Sequence, residues 1–169
     1  MAERVKTLRL ILGDQLNHQH SWFKEEQENI CYVFMEMRQE TDYVTHHIQK
    51  VIGFFSAMRE FAEHLKERDH EVIYLKINDK KNKQTLHENL KQLISEYEIE
   101  KFEYQLPDEY RLDVQLKDFC SELTINTEAY DTEHFLTSRE DLGKFYEGKK
   151  EMTMEYFYRE DRKSTRLNS

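Results

Sequence analysis

Short apolar runs alternate with longer stretches of helical periodicity along most of the chain, and few folds accept that order. The first run is Leu8-Arg9-Leu10-Ile11-Leu12, closed by the turn signal Gly13-Asp14. Residues 30–35 (Ile30, Cys31, Tyr32, Val33, Phe34, Met35) are apolar on both faces, as a strand covered on both sides must be. Further strands are expected over residues 72–77, over 101–106 (ended by Pro107) and, shorter, over 123–125. Residues 17–27 are polar and irregular, a loop that holds Trp22. Between the strands the apolar residues step by three and four. A long helix is expected over residues 43–68, with Val44, Ile48, Val51, Ile52, Phe55, Met58, Ala62 and Leu65 facing a sheet and Thr41 or Asp42 as N-cap. Residues 84–98 repeat the pattern with Leu86, Leu90, Leu93 and Ile94, and residues 109–121 with Leu112, Leu116 and Phe119. Residues 138–145 form a short last helix, Ser138 and Asp141 being spaced as a capping box. The fold class that follows is α/β: a Rossmann-like three-layer domain with a mainly parallel five-stranded sheet, spanning residues 1–146.

The remaining residues have another character. Residues 147–160 hold Met152, Met154, Tyr156, Phe157 and Tyr158, have no place in the sheet and read as a connection toward a further domain. Residues 161–169 look like a translated sequencing-library adapter and are set aside from the fold, with the natural chain expected to continue past Glu160; an ordinary polar terminus is the other reading. Charge excludes one class of function. With 25 Lys and Arg against 34 Asp and Glu, the net charge is -9, a poor basis for gripping phosphate backbones unaided. Aromatic residues at 12% argue for a packed core despite 35% charged residues. No apolar run approaches the roughly 20 residues that cross a bilayer. The start lacks a signal-peptide apolar region, so no membrane partner and a cytoplasmic location are expected. Cys31 and Cys120 have no metal-ligand spacing and are expected to stay reduced.

In an open parallel sheet, ligands bind beyond the carboxyl ends of the strands. Gly13, Asp14 and Gln15 lie there after the first strand, and residues 35–40 after the second. Gly13 would let the backbone approach a ligand closely. Asp14 and Gln15 offer hydrogen-bond partners for hydroxyls or ring edges, and Glu40 could accept from a ring N–H. Tyr43 could pack on such a ring. The same residues also fit plainer roles: Asp14 as a turn former, Glu40 as a solvated helix-start acid, Tyr43 as a half-buried helix-start aromatic. Neither phosphate-binding glycine pattern is present, so a neutral ring with hydroxyls suits the site better than a nucleotide triphosphate. His46 and His47, adjacent on a helix, would diverge by about 100° and cannot share a metal. Phe54, Phe55, Met58 and Phe61 read as core and interface, with Phe54 and Phe61 on the flank that meets a further domain.

Three motifs in order carry a resemblance: residues 10–16 (Leu10 to Leu16, with Gly13-Asp14-Gln15 at its centre), residues 37–47 (Met37 to His47) and residues 54–62 (Phe54 to Ala62). Together with Thr137-Ser138 after Leu136, and with residues 152–160, they resemble the deoxyribodipyrimidine photolyase-related family, the bacterial photolyases and cryptochromes with an iron–sulfur cluster. The resemblance covers residues 7–160. It implies an N-terminal α/β domain holding the antenna chromophore 6,7-dimethyl-8-ribityllumazine. It further implies a helical domain with FAD, a 4Fe-4S cluster and the surface for damaged DNA. Members repair (6-4) photoproducts or act in light signalling. Carried over by motif, Gly13, Asp14 and Gln15 would line the antenna pocket, Met35 would pack near the ring, and Glu40 would hydrogen-bond its pyrimidine edge. Tyr43 and His47 carry over less directly. The cluster cysteines, flavin pocket and lesion-binding residues are absent from these residues, so the chain is expected not to repair DNA by itself. Its unmatched apolar surface is expected to favour self-association. The alternative is a free-standing α/β interaction module without chromophore.

Overall fold

The computed structural model describes residues 6–24, 28–135 and 137–167, with side chains described to residue 160. Leu136 of the resemblance motif and the end of the terminal tail lie outside them. Contacts divide the chain into two units, residues 1–132 and 133–169.

The first unit is built on a sheet that has five strands among the described residues: β1 (Thr7–Leu10), β2 (Ile30–Met35), β3 (Glu71–Leu75), β4 (Lys101–Gln105) and β5 (Asn126–Tyr130). Their order is β3-β2-β1-β4-β5, and every neighbouring pair is parallel. The order reverses at β1, which makes the edge between β1 and β4 the switch point where crevices open in such sheets.

Strand alternation sorts the core onto two faces. Leu8 and Leu10 of β1, Cys31, Val33 and Met35 of β2, and Phe102 and Tyr104 of β4 join one cluster. Against them pack α3 (Leu86–Glu96), through Leu86, Leu90 and Leu93, and α4 (Tyr110–Glu122), through Leu112, Leu116 and Phe119. Tyr32 and Phe34 point to the other face, where they meet Met58, Phe61, Ala62 and Leu65 of α2 (Ile48–Lys66) and the 3-10 turn Ser21–Phe23 with Trp22 and Phe23. The three-layer α/β arrangement is therefore the one the periodicities require. The second face also holds a buried ion pair. Arg9 Nε donates to Glu103 Oε2 at 2.6 Å and Arg9 Nη1 to the Tyr32 hydroxyl at 3.1 Å, with the guanidinium 4.6 Å above the Trp22 ring.

Several sequence expectations need correction. The helix expected over residues 43–68 begins only at Ile48, as α2; residues 43–47 are a non-helical link, and a separate short helix, α1 (Arg38–Asp42), precedes them. The α2 N-cap is His47, whose Nδ1 accepts from the Gln49 N–H at 3.2 Å, and not Thr41 or Asp42. Val44, Ile48 and Ile52 are exposed, because the first turns of α2 border a cleft at the end of the sheet and only the turns from Met58 onward lie on it. Phe61 is core at 2% exposure and is no flank residue. The fifth strand begins at Asn126, after the expected residues 123–125: Leu123 and Ile125 pack on the core before it, and the strand itself is a polar, mostly exposed edge.

The second unit holds α5 (Arg139–Tyr146) and α6 (Met154–Leu167). Ser138 and Asp141 form the expected capping box. Phe145 and Phe157 meet edge-on at 5.4 Å, and the Tyr146 hydroxyl donates to the Thr153 carbonyl at 2.6 Å. Residues 154–160, expected only as a connection, open a helix that continues into the tail. No helix among the described residues is long and apolar enough to cross a membrane.

Candidate functional site

A cleft of ≈ 180 Å³ opens beyond the carboxyl ends of β1 and β2. Its floor is apolar: Leu10, Ile11 and Leu12 where β1 ends, Met35 and Met37 where β2 ends, and Leu112 from α4. One wall is the first half of α2, with Val51, Phe54, Phe55 and Met58. The rim is polar and carries Asp14, Glu40, Thr41, His46, Lys50 and Glu109 around Tyr43.

The β1 turn is held by a buried amide. Gln15 Oε1 accepts from the Leu12 N–H at 3.0 Å, and Nε2 donates to the Gln105 carbonyl at 3.1 Å. Gln15 thus ties the end of β1 to the end of β4 across the switch point and does not itself line the cleft, whereas Gly13 and Asp14, which it fixes, do. Gly13 is constrained by packing: a Cβ there would stand 2.2 Å from Phe54 Cε1 and 2.9 Å from Met58 Sδ. The bare Cα is what lets the Phe54 ring lie across the turn.

The polar edge is built by α1 and α4 together. Glu40 receives Arg111 Nη2 at 2.8 Å and Nη1 at 3.3 Å, and the Gln39 amide at 3.1 Å. The Arg111 guanidinium lies 4.7 Å from the Tyr43 ring centre, a cation–π approach. Those bonds to Glu40, ahead of the ones to Glu109, hold Arg111 above its ordinary range. Glu40 is therefore no freely solvated acid.

Of the residues singled out in the sequence, the fold gathers Gly13, Asp14, Met35, Glu40 and Tyr43 around one cleft. Gln15 stands behind its turn, and His47 is turned to the α2 cap. His46 is the histidine of the pair that reaches the cleft, and the two lie outside a helix, ahead of α2, so the helical 100° separation does not apply. Met58, read from the sequence as core and interface, also lines the cleft, while Arg111, Glu109 and Lys50 escaped sequence reasoning. Nothing local marks them; only the pairing of strands brings α4 beside α1. A second buried acid, Glu36, was equally silent. It directly follows β2, fully covered, taking Arg59 Nε and Nη2 at 2.6 and 2.8 Å, the Tyr74 hydroxyl at 2.8 Å and the Ile77 N–H at 2.9 Å.

Burial pushes the Cys31 thiol up to about 12 and raises Cys120 as well. Among the described residues no group of three or more His, Cys, Asp or Glu is placed to hold a metal.

Residues 9–167 match the sequence profile of a family described as deoxyribodipyrimidine photo-lyase-related protein. The chain belongs to that family. A curated relative, a (6-4) photolyase from Agrobacterium fabrum, is 34% identical over 166 residues, which cover 96% of this chain and 32% of the relative. The chain thus spans about a third of that photolyase's length. Within this photolyase-related chain, the motif of residues 10–16 forms the β1 turn of the cleft, and the motif of residues 37–47 supplies Glu40, Tyr43 and His46 to its rim.

Proposed function

We propose that this chain holds an antenna chromophore, 6,7-dimethyl-8-ribityllumazine, in the cleft above β1 and β2, on behalf of a light-dependent protein of the photolyase and cryptochrome kind. The observation that carries the reading is the meeting of two separate family motifs at one cleft whose floor is apolar and whose edge holds carboxylates oriented by Arg111, Glu40 among them. The residues fit the guest. A dry cavity of about 150 Å³ holds one aromatic ring; ≈ 180 Å³ with an open mouth suits a bicyclic ring. Leu12, Met35 and Met37 supply apolar contact, Tyr43 and Phe54 supply ring contact, and Asp14, Thr41 and Lys50 supply partners for a polyhydroxy tail. Glu40 is the acceptor for a ring N–H. When bound, the lumazine absorbs light and passes excitation to a flavin. FAD, the 4Fe-4S cluster and the contact with damaged DNA belong, in this reading, to the part of such proteins beyond the third spanned here. Repair of (6-4) photoproducts or light signalling is then a property of the whole protein, and this chain alone is inactive. Its net charge of -9 agrees with a part that does not face DNA.

The test is a fluorescence titration of the folded chain with the lumazine. Saturable binding is expected, weakened about tenfold by Glu40→Ala through loss of one charge-assisted hydrogen bond. A folded chain that shows no saturable binding contradicts the reading.

A further inference from the structure

Arg111 touches three groups that shape the polar edge of the cleft. Its Nη2 and Nη1 donate to Glu40 Oε2 and Oε1 at 2.8 and 3.3 Å. Its Nε and Nη2 donate to Glu109 Oε1 and Oε2 at 2.8 and 3.2 Å. Its planar face lies 4.7 Å from the centre of the Tyr43 ring. Glu40 and Glu109 both line the cleft, so one guanidinium pins two carboxylates at the same rim.

The acceptor positions can be counted. An ionised carboxylate offers about four. Glu40 Oε1 already takes Arg111 Nη1 and the Gln39 amide, and Oε2 takes Arg111 Nη2. Among the described residues, the position left is on Oε2. Gln39 is itself held by Gln115 at 2.8 Å and by the Leu86 N–H at 3.0 Å, so the whole arrangement is anchored on α3 and α4. Glu40 can accept one more hydrogen bond and is fixed where it does so.

We propose that Arg111 is a positioning residue that sets the specificity of the cleft: by clamping Glu40 and Glu109 it leaves an edge that accepts, and so selects a guest ring carrying an imide or amide N–H over a ring of the same shape without one. The proposal rests on the ring-binding reading above. Arginine is required because its fork reaches two carboxylates in one plane while its face covers Tyr43; a lysine ammonium can do neither at once. Without the clamp, Glu40 and Glu109 repel and nothing holds Glu40 Oε2 toward the guest.

The experiment titrates the full chain with 6,7-dimethyl-8-ribityllumazine and with the same compound methylated at its imide nitrogen, reading ligand fluorescence. It is run on the wild type, Arg111→Gln, Arg111→Lys, Glu40→Ala and the Arg111→Gln/Glu40→Ala pair, each checked for folding by circular dichroism. The wild type should prefer the unmethylated ring about tenfold or more. Arg111→Gln should bring the two ligands within about twofold, Arg111→Lys should restore only part of the preference, and Arg111→Gln should add little once Glu40 is gone. Equal weakening of both ligands with the preference intact, or additive effects in the pair, overturns the clamp while leaving the ring-binding reading standing. No binding of either ring to the folded wild type brings down both. The two-ligand comparison on the wild type depends on no variant folding.

Discussion

Glu36 shows how a single covered carboxylate organises the end of a strand. Burial works to raise it, but the bonds from Arg59, the Ile77 N–H and Tyr74 outweigh burial and hold it below its ordinary value of 4.5. A carboxylate lowered on folding contributes stability above its unfolded range and loses it as pH falls through the lower folded value. The wild type is therefore expected to lose stability on acidification below about pH 4.5, and Glu36→Gln to lose less over the same window. At neutral pH, Glu36→Gln should cost about 1–3 kcal/mol, because Tyr74 and the Ile77 N–H lose a charged acceptor, while Arg59, 47% exposed, recovers its hydration. Urea unfolding across pH 3–7 (roughly the span of the linkage) measures both; parallel pH profiles for the two proteins would show that Glu36 is not the group responsible.

At the scale of elements, β1 and β4 are joined across the switch point by two devices of opposite cost. Gln15 closes the carboxyl end with neutral hydrogen bonds, and Arg9 with Glu103 sits at 2.6 Å in the covered face beneath Trp22. Burial works to raise Glu103, yet Lys101 and Arg9 together hold it below its ordinary value. Removing one partner of a buried pair leaves the other charge stranded. Arg9→Met is expected to cost about 3 kcal/mol, the low end because Lys101 still reaches Glu103 at 2.5 Å. Arg9→Met with Glu103→Leu should recover most of it, and chemical denaturation of the three variants decides; a double variant as weak as the single one contradicts the account. These elements also mark what the sequence makes legible. Strands β1 to β4 and helices α3 and α4 follow from apolar period alone. The break between α1 and α2 does not, because residues 43–47 keep a helix-compatible pattern while His47 caps the chain that follows. The start of β5 fails for the opposite reason: an edge strand needs no apolar face, so Asn126–Tyr130 carries no signal while Leu123 and Ile125 before it do. In the site, Gly13, Asp14 and Glu40 were readable because they sit just past a strand end or in the first turn of a helix, while Tyr43, read as a helix start, is the C-cap of α1. Arg111 was not readable, since its role exists only after β4 pairs with β1 and sets α4 beside α1.

For the molecule as a whole, the sheet with its two helical layers is a closed core, yet exposed apolar side chains remain. Ile48, Ile52 and Phe54 stand on α2 in the first unit, and Met152, Tyr156 and Tyr158 in the second. Contiguous apolar patches of more than a few hundred Å² drive association. Sedimentation velocity over a range of concentrations should show reversible self-association, reduced by Ile48→Lys with Ile52→Glu; a monodisperse monomer throughout would contradict that expectation. The chain belongs to the photolyase-related family and spans about a third of a (6-4) photolyase, and the proposed ring binding makes the cleft the feature to test. The most direct test of that claim is an NMR map of the lumazine in contact with the protein. Intermolecular NOEs from the two ring methyl groups to Met35, Met37 and Phe54 are expected, with none to the core beneath α3. A ring that binds with NOEs only to residues outside the cleft, or a folded protein that gives none, would contradict it.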